Sequence, residues 1–390
     1  MTSFDSSQAA RGTAGRARPF FWEEAAEDWH AARSEGRRAE FPEYVTRKLR
    51  AITKGAGREA GTVASMRTVH RIFLPDGEPD RLPASYLAEH YTLTLFGLHQ
   101  HAASSPVHQA GVGLGTACLR LQQSQALTES SVERRLIAAA TAQDLHELAQ
   151  HLQRLVPLLR QADIGVDYTR LFREMAQWDG PGRNRTLRAW GLQYTDPGEE
   201  EGDRAGEEPA PYWATFVPGS RDAGAELAAL RSGTGREAGT VAAMWPFHRT
   251  RMASERRDRG SLTRDLAAEH TALTLFARHQ QTHAQRMHLP GASPGTAAGL
   301  LARKAAAGGE GKSATASLEK RFGALLTSND SDELAAHLRS LVPLLNRASV
   351  ELDYDQLRSA LRAWDDPRRP HAASRLRQRW DLDFHRATTS

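Results

Sequence analysis

The stretch REAGTVASM occupies residues 58–66 and returns as REAGTVAAM at 236–244, with eight of nine residues unchanged over an offset of 178. Each version ends in Met and is followed within a few residues by His-Arg, at His70–Arg71 and His248–Arg249. A phrase written twice in 390 residues points to an internal duplication, which governs every later reading of the architecture. The duplication runs well beyond the phrase. AEHYTLTLFGLHQ (88–100) matches AEHTALTLFARHQ (268–280) at nine of thirteen positions, offset by 180. HLQRLVPLLRQADIGVDY (151–168) matches HLRSLVPLLNRASVELDY (337–354) at ten of eighteen, offset by 186, and LRAWGLQY (187–194) answers to RQRWDLDF (377–384), offset by 190. Offsets that hold within blocks and grow between them place the length changes in connecting loops.

PFFW (19–22) and PYW (211–213) open the two repeats, and the first carries about thirteen extra residues before its KGAGRE. The layout is a disordered tail over 1–18, a helical module over 19–195, an acidic flexible linker over 196–210 and a second module over 211–387. DPGEEEGDRAGEEPAP (196–211) holds seven acids and one Arg, a net −6 out of a chain total of +4, so the remainder carries +10. Two modules of this size can each bury a core.

The periodicity is helical. Leu334, Leu338, Leu341, Val342 and Leu345 form one apolar stripe, and Leu148, Leu152, Leu155, Val156 and Leu159 repeat it. Pro157 and Pro343 interrupt both stripes at matching positions and predict a kink or break. Ser131 before Glu133 and Ser317 before Glu319 read as helix N-termini. Gly55 and Gly233 read as the C′ residues that end a helix and open the basic turn. No alternating strand pattern occurs, so the fold class is all-α: two homologous helical bundles in tandem.

Catalytic chemistry finds little support. Cys118 is the sole cysteine and Ala298 takes its place in the second repeat, which rules out a disulfide within the chain, a zinc cluster of cysteines or a shared catalytic thiol. His90 and His99 recur as His270 and His279, but nine residues of helix turn them to opposite faces, so a common metal is unworkable. A retained Glu89–His90 or Glu269–His270 pair is the nearest approach to an acid–base site. Asp144 with Glu147, and Asp330 with Glu333, place two carboxylates on one helical face, yet the same pattern starts helices. Trp178, Trp190, Trp364 and Trp380 read as core. There is no P-loop, dinucleotide fingerprint or zincin motif. The expectation is a protein without catalytic residues, metal or cofactor. No apolar run is long enough to span a bilayer and no signal peptide opens the chain, so a cytoplasmic location is expected.

Basic residues form the more coherent pattern. Lys54 and Arg58 flank the first Gly-containing turn, Arg231 and Arg236 the second, and Arg71 matches Arg249. Further candidates are Arg120, Arg185, Arg188, Arg377 and Arg379, together a track for a phosphate backbone that needs no base readout.

The ordered series LRSGTGREAGTVAAMWP, ALTLFARHQ, SLEKRFGALL, DELAAHLRSLVPLL, LDYDQLRSALRAW and RQRWDLDF resembles the CasB family, the small subunit of the type I-E CRISPR surveillance complex Cascade. The first repeat shows the same series, over most of 41–194 and 211–386 in all. The resemblance implies an all-helical, non-catalytic subunit that binds the guide RNA–target DNA R-loop through basic residues, with the Cascade backbone and large subunits as partners. Two such subunits supplied by one chain, a monomer when free, would explain the duplication. The first repeat departs at Arg67 and Thr68, where the second has Trp245 and Pro246. Two other readings remain: a tandem helical scaffold that binds only protein, and a helical hydrolase or lyase built on Glu89 and His90.

Overall fold

The computed structural model describes residues 18–37, 40–73, 82–124, 129–195, 209–307 and 311–389. The expected tail, apart from residue 18, and the acidic linker over 196–208 lie outside the described residues. In the first repeat the order is α1 (Phe21–Ser34), α2 (Glu43–Gly55), a 3-10 turn η1 (Ala64–Thr68), α3 (Ala84–Gln100), α4 (Leu114–Gln123), α5 (Glu129–Thr141), α6 (Leu145–Gln161), α7 (Tyr168–Ala176) and α8 (Arg183–Thr195). The second repeats it as α9 (Tyr212–Thr215), α10 (Ala223–Arg231), η2 (Ala242–Phe247), a short α11 (Ser254–Asp258), α12 (Arg264–Gln280), α13 (Pro294–Ala307), α14 (Gly311–Leu326), α15 (Ser331–Arg347), α16 (Tyr354–Ala363) and α17 (Ala372–Thr389). The fold is all-α. Among the described residues the only extended pairing is one isolated parallel bridge per repeat, His108 with Val166 and His288 with Leu352.

The chain forms two compact units. The first comprises residues up to Gly111 plus Gly165–Ala176, hence α1, α2, η1, α3 and α7. The second comprises Val112–Ile164 and Gln177–Ser390, hence α4, α5, α6 and α8 with all of the second repeat.

Within each repeat the matching residues do the same physical work. Asp144 and Asp330 accept the N–H of Glu147 and Glu333 at 2.8 Å, and those glutamates accept the N–H of Gln143 and Asn329. These carboxylate pairs start α6 and α15, the N-cap Asp taking the N3 N–H and the Glu the N–H just before the cap. The leucine stripes behind them are buried, each such side chain contributing about 1.5–3 kcal/mol. Neither proline breaks its helix: α6 runs through Pro157 to Gln161 and α15 through Pro343 to Arg347. Ser131 and Ser317 do not start helices either, since α5 begins at Glu129 and α14 at Gly311. The thirteen-residue difference near the N-terminus appears as a longer first helix, fourteen residues in α1 against four in α9. Trp22 and Trp213 nevertheless anchor both openings, donating their indole N–H to Thr169 Oγ1 and Asp355 Oδ1 at 2.8 Å.

Helices α3 and α12 are buried along most of their length, so their polar side chains need partners. His99 Nδ1 meets the Tyr168 hydroxyl at 2.9 Å, and His279 Nδ1 accepts from Tyr354 at 3.0 Å while its Nε2–H donates to the Val350 carbonyl at 2.9 Å. Gln100 and Gln280 accept the N–H of Val107 and Met287 and donate to Ser105 and Gln285, pinning the following loop. Trp178 stacks on Trp190, and Trp364 on Trp380, in both cases at 5.4 Å and 27°. All four indoles are core.

Candidate nucleic-acid interface

The repeated phrase is a rigid basic turn. Residue Gly55 is the last of α2, and a Cβ added there would overlap Met66 Sδ; Gly233 stands in the same relation to Met244 Sδ. That close approach is why the phrase needs both a Gly before it and a Met at its end. The left-handed residue falls two positions later than the C′ reading, at Gly57 (φ 72°) and Gly235 (φ 74°), where an added Cβ meets nothing within 4 Å. Between them the chain turns with Arg58 N–H on the Gly55 carbonyl and Arg236 N–H on that of Gly233.

The Glu–His dipeptide of α3 and α12 straps this turn at both ends. His90 Nε2–H donates to the Arg58 carbonyl at 3.1 Å, and His270 Nε2–H to the Gly233 carbonyl at 3.0 Å. Glu89 accepts the N–H of Arg71 and Ile72 at 2.7 and 2.9 Å; Glu269 accepts those of Arg249 and Thr250 at 2.7 and 3.0 Å and the Thr250 hydroxyl at 2.7 Å. The His of each His-Arg pair completes the strap. Its ring lies parallel to that of His90 or His270, at 6.0 and 5.9 Å. Burial pushes His90, His248 and His270 down to about 4, so these rings are neutral. Both members of the suspected acid–base pair are thus committed to backbone.

The candidate cations divide sharply. Lys54, Arg58, Arg185, Arg236 and Arg379 are exposed, and Arg231 is half-buried at the end of α10. Arg71 is half-buried with its guanidinium 4.3 Å from the Phe20 ring centroid, and Arg249 donates to the carbonyls of Pro246 and His248. Arg120 is half-buried on α4. Arg377 lies over Trp364 and donates to the Ser328 carbonyl at 2.6 Å, the place that Arg183 fills in the first repeat over Trp178 and the Ala142 carbonyl. Arg188 is 6% exposed, its guanidinium on Glu237 Oε1 at 2.7 Å and the Gly260 carbonyl at 2.8 Å.

Arg188 therefore joins the repeats instead of facing solvent. Inside the second unit, α8 packs on η2 and α11. Asn184 donates to Glu237 Oε2 at 2.7 Å, Gln193 to Asp258 Oδ1 at 3.2 Å, and Leu192 clusters with Ala238, Leu266 and Met252. Trp245, 2% exposed, fills the gap over Gly191, where any Cβ would strike the indole. This contact explains the Trp-Pro that the first repeat lacks. It also ties Asn184 of α8 to Glu237 of the turn that carries Arg236, with exposed Arg185 the next residue along α8. Gly191→Ala is expected to destabilise by about 1–3 kcal/mol through this overlap. Gly224→Ala, in the first turn of α10 with open space around it, is expected to stabilise by up to about 1 kcal/mol. Equal melting temperatures for the two variants would contradict the assignment.

Among the described residues, one group of potential metal ligands lies together in the second repeat, each already engaged by protein donors. His288, Asp353 and Asp355 approach within 4.8 Å, but Asp353 accepts from Gly291, Asp355 and Gln356, Asp355 from Trp213, and His288 Nδ1 from the Tyr354 N–H. The first repeat has Thr169 in the place of Asp355. Cys118 is buried, and burial pushes its thiol up to about 12. No helix among the described residues is long and apolar enough to cross a membrane.

Nothing among curated proteins matches the chain. Among solved structures it is similar to CasB from Thermobifida fusca, with 25% identity over 45% of this chain and 95% of that one and a TM-score of 0.35. The family model of the CRISPR-associated protein Cse2 matches twice, over residues 48–194 and 226–385, and the two matches bracket the duplicated blocks. The chain belongs to the Cse2 family of CRISPR-associated proteins, subunits of Cascade.

Proposed function

We propose that this chain is a non-catalytic double small subunit of a type I-E Cascade. Its two modules, 19–195 and 211–387, hold target DNA in the R-loop by sequence-independent phosphate contacts. The observation that supports it is the junction of α8 with the second basic turn, where Asn184 bonds Glu237 and the adjoining residues Arg185 and Arg236, one from each repeat, are both exposed. Lys54 and Arg58 belong to the equivalent turn in the first repeat, and Arg231 at the end of α10 and exposed Arg379 on α17 are further candidate phosphate contacts in the second. Strapping each turn to a buried helix keeps its cations in place before DNA arrives, which reduces the ordering cost of binding. Forming an R-loop is a nearly balanced exchange of duplexes, so a few backbone contacts can tip it.

The test is the salt dependence of binding to single-stranded and R-loop DNA by the guide-loaded complex. Arg58→Glu combined with Arg236→Glu is expected to weaken binding more than either alone. Each phosphate contact removed should lower the slope of log K against log salt by about 1, with little dependence on sequence. A folded double variant with unchanged affinity and slope would sink the phosphate reading and favour a purely protein-binding scaffold.

A further inference from the structure

The contact between α8 and the second repeat has two faces, and each has a counterpart elsewhere in the chain that is open. The counterpart of α8 is α17. There Gly191 becomes Asp381, Leu192 becomes Leu382 and Arg188 becomes Gln378, all three exposed, with Leu382 at 55%. Where η2 packs on α5 and α8, the corresponding helices α14 and α17 border a groove of about 520 Å³ whose lining includes Phe322, Gly323, Asp381 and Phe384.

The counterpart of η2 and its turn lies in the first repeat. Trp245 becomes Arg67, exposed; Glu237 becomes Glu59, exposed; Ala238 becomes Ala60 and Leu266 becomes Tyr86. Arg67 and Tyr86 line a cavity of about 300 Å³ together with His70, Ile72 and Phe73. Phe73 is 75% exposed. Both faces thus present an uncovered apolar side chain, Phe73 on one and Leu382 on the other.

The substitutions that separate these open faces from the occupied ones are complementary to each other. The indole-over-glycine fit of Trp245 and Gly191 becomes a cation facing an anion, Arg67 and Asp381. The Arg188–Glu237 pair becomes Gln378 and Glu59, an amide donor facing a carboxylate. Leu382 takes the role of Leu192 and, because Ala60 and Tyr86 are already buried, meets exposed Phe73 at the mouth of the 300 Å³ cavity. We propose that the first-repeat face around Arg67, Phe73 and Tyr86 docks on α17 of a second copy of this chain, continuing head to tail the contact that α8 makes within one chain. Such a heterologous contact uses two different surfaces, so it can add chains in succession. With an exposed ion pair in place of a buried indole, it is weak: dilute protein stays monomeric, and association appears as concentration rises.

Sedimentation of the full chain at rising concentration, without nucleic acid, tests this. The weight-average mass is expected to climb from that of one chain toward two and beyond. Arg67→Asp and Asp381→Arg, each setting like charges face to face, should weaken association by about tenfold. Both residues are exposed, so folding, checked by circular dichroism, should be intact. Combining the two reversals restores the pair in opposite sense and should return association to near the original level. A mass fixed at one chain up to about 0.5 mM, where a contact of even a few kcal/mol would register, overturns the proposal. So does association that neither reversal weakens, or that the double reversal leaves impaired.

Discussion

Glu269→Ala is expected to lower stability by about 3–5 kcal/mol, the largest effect of any single substitution considered, because it strands several buried donors at once. The carboxylate is 1% exposed and accepts the N–H of Arg249 and Thr250 and the Thr250 hydroxyl. Removing it leaves all three without an acceptor where water does not reach. For modules of this size that corresponds to a fall in melting temperature of roughly 6–20 °C. Glu333→Ala makes a fair contrast: Glu333 is half-buried, accepts from Asn329 at the start of α15 and has His337 Nε2 at 3.7 Å, so about 1 kcal/mol is expected. Glu269→Ala should also weaken DNA binding beyond its effect on folding, since the Arg236 turn loses its tail strap. An alanine variant within 1 kcal/mol of the parent in urea unfolding would show that the loop after η2 is held by something else.

Acid should unfold the protein earlier than its carboxylates alone require. Burial holds His90, His248, His270 and His279 at about 4 against an ordinary value of 6.5. Arg249 adds to the lowering at His248, and His248 adds to it at His270. In the unfolded chain these rings take up protons near 6.5 while the folded chain refuses them. The associated stability is therefore complete above about 6.5 and is lost progressively as pH falls toward 4. One ring contributes a slope of at most about 1.4 kcal/mol per pH unit, so four rings make a drop of several kcal/mol on the order expected for marginal stability. Urea midpoints measured from pH 7.5 to 4.5 should fall steadily, and His279→Gln should flatten the curve. A midpoint independent of pH across that window would mean that the rings are protonated in the folded state.

The repeat, the helical class and the family membership could all be read from residue order. Stripes such as Leu334 to Leu345 and the Asp-x-x-Glu starts of α6 and α15 act through contacts within one helix or against any apolar neighbour, so spacing alone encodes them. The pairing of His with Glu in α3 and α12 was visible too, but not its purpose. Its partners, the turn at Arg58 and the backbone at Arg71, lie 17 to 32 residues away. Likewise the αL residue sits at Gly57 and Gly235 instead of Gly55 and Gly233, because the earlier glycines are required for contact with Met66 and Met244, a demand that local propensity does not contain. The division of the cations was beyond sequence altogether. Arg185 and Arg188 are one helical turn apart and alike in composition, yet one is exposed and the other is held by Glu237, 49 residues away. What residue order determined was the set of elements and their duplication, which depend on short-range spacing. Which charges face solvent, and why the second repeat needs Trp245 where the first has Arg67, was decided only by which surfaces meet, because burial is a property of the packed chain and not of any stretch of it.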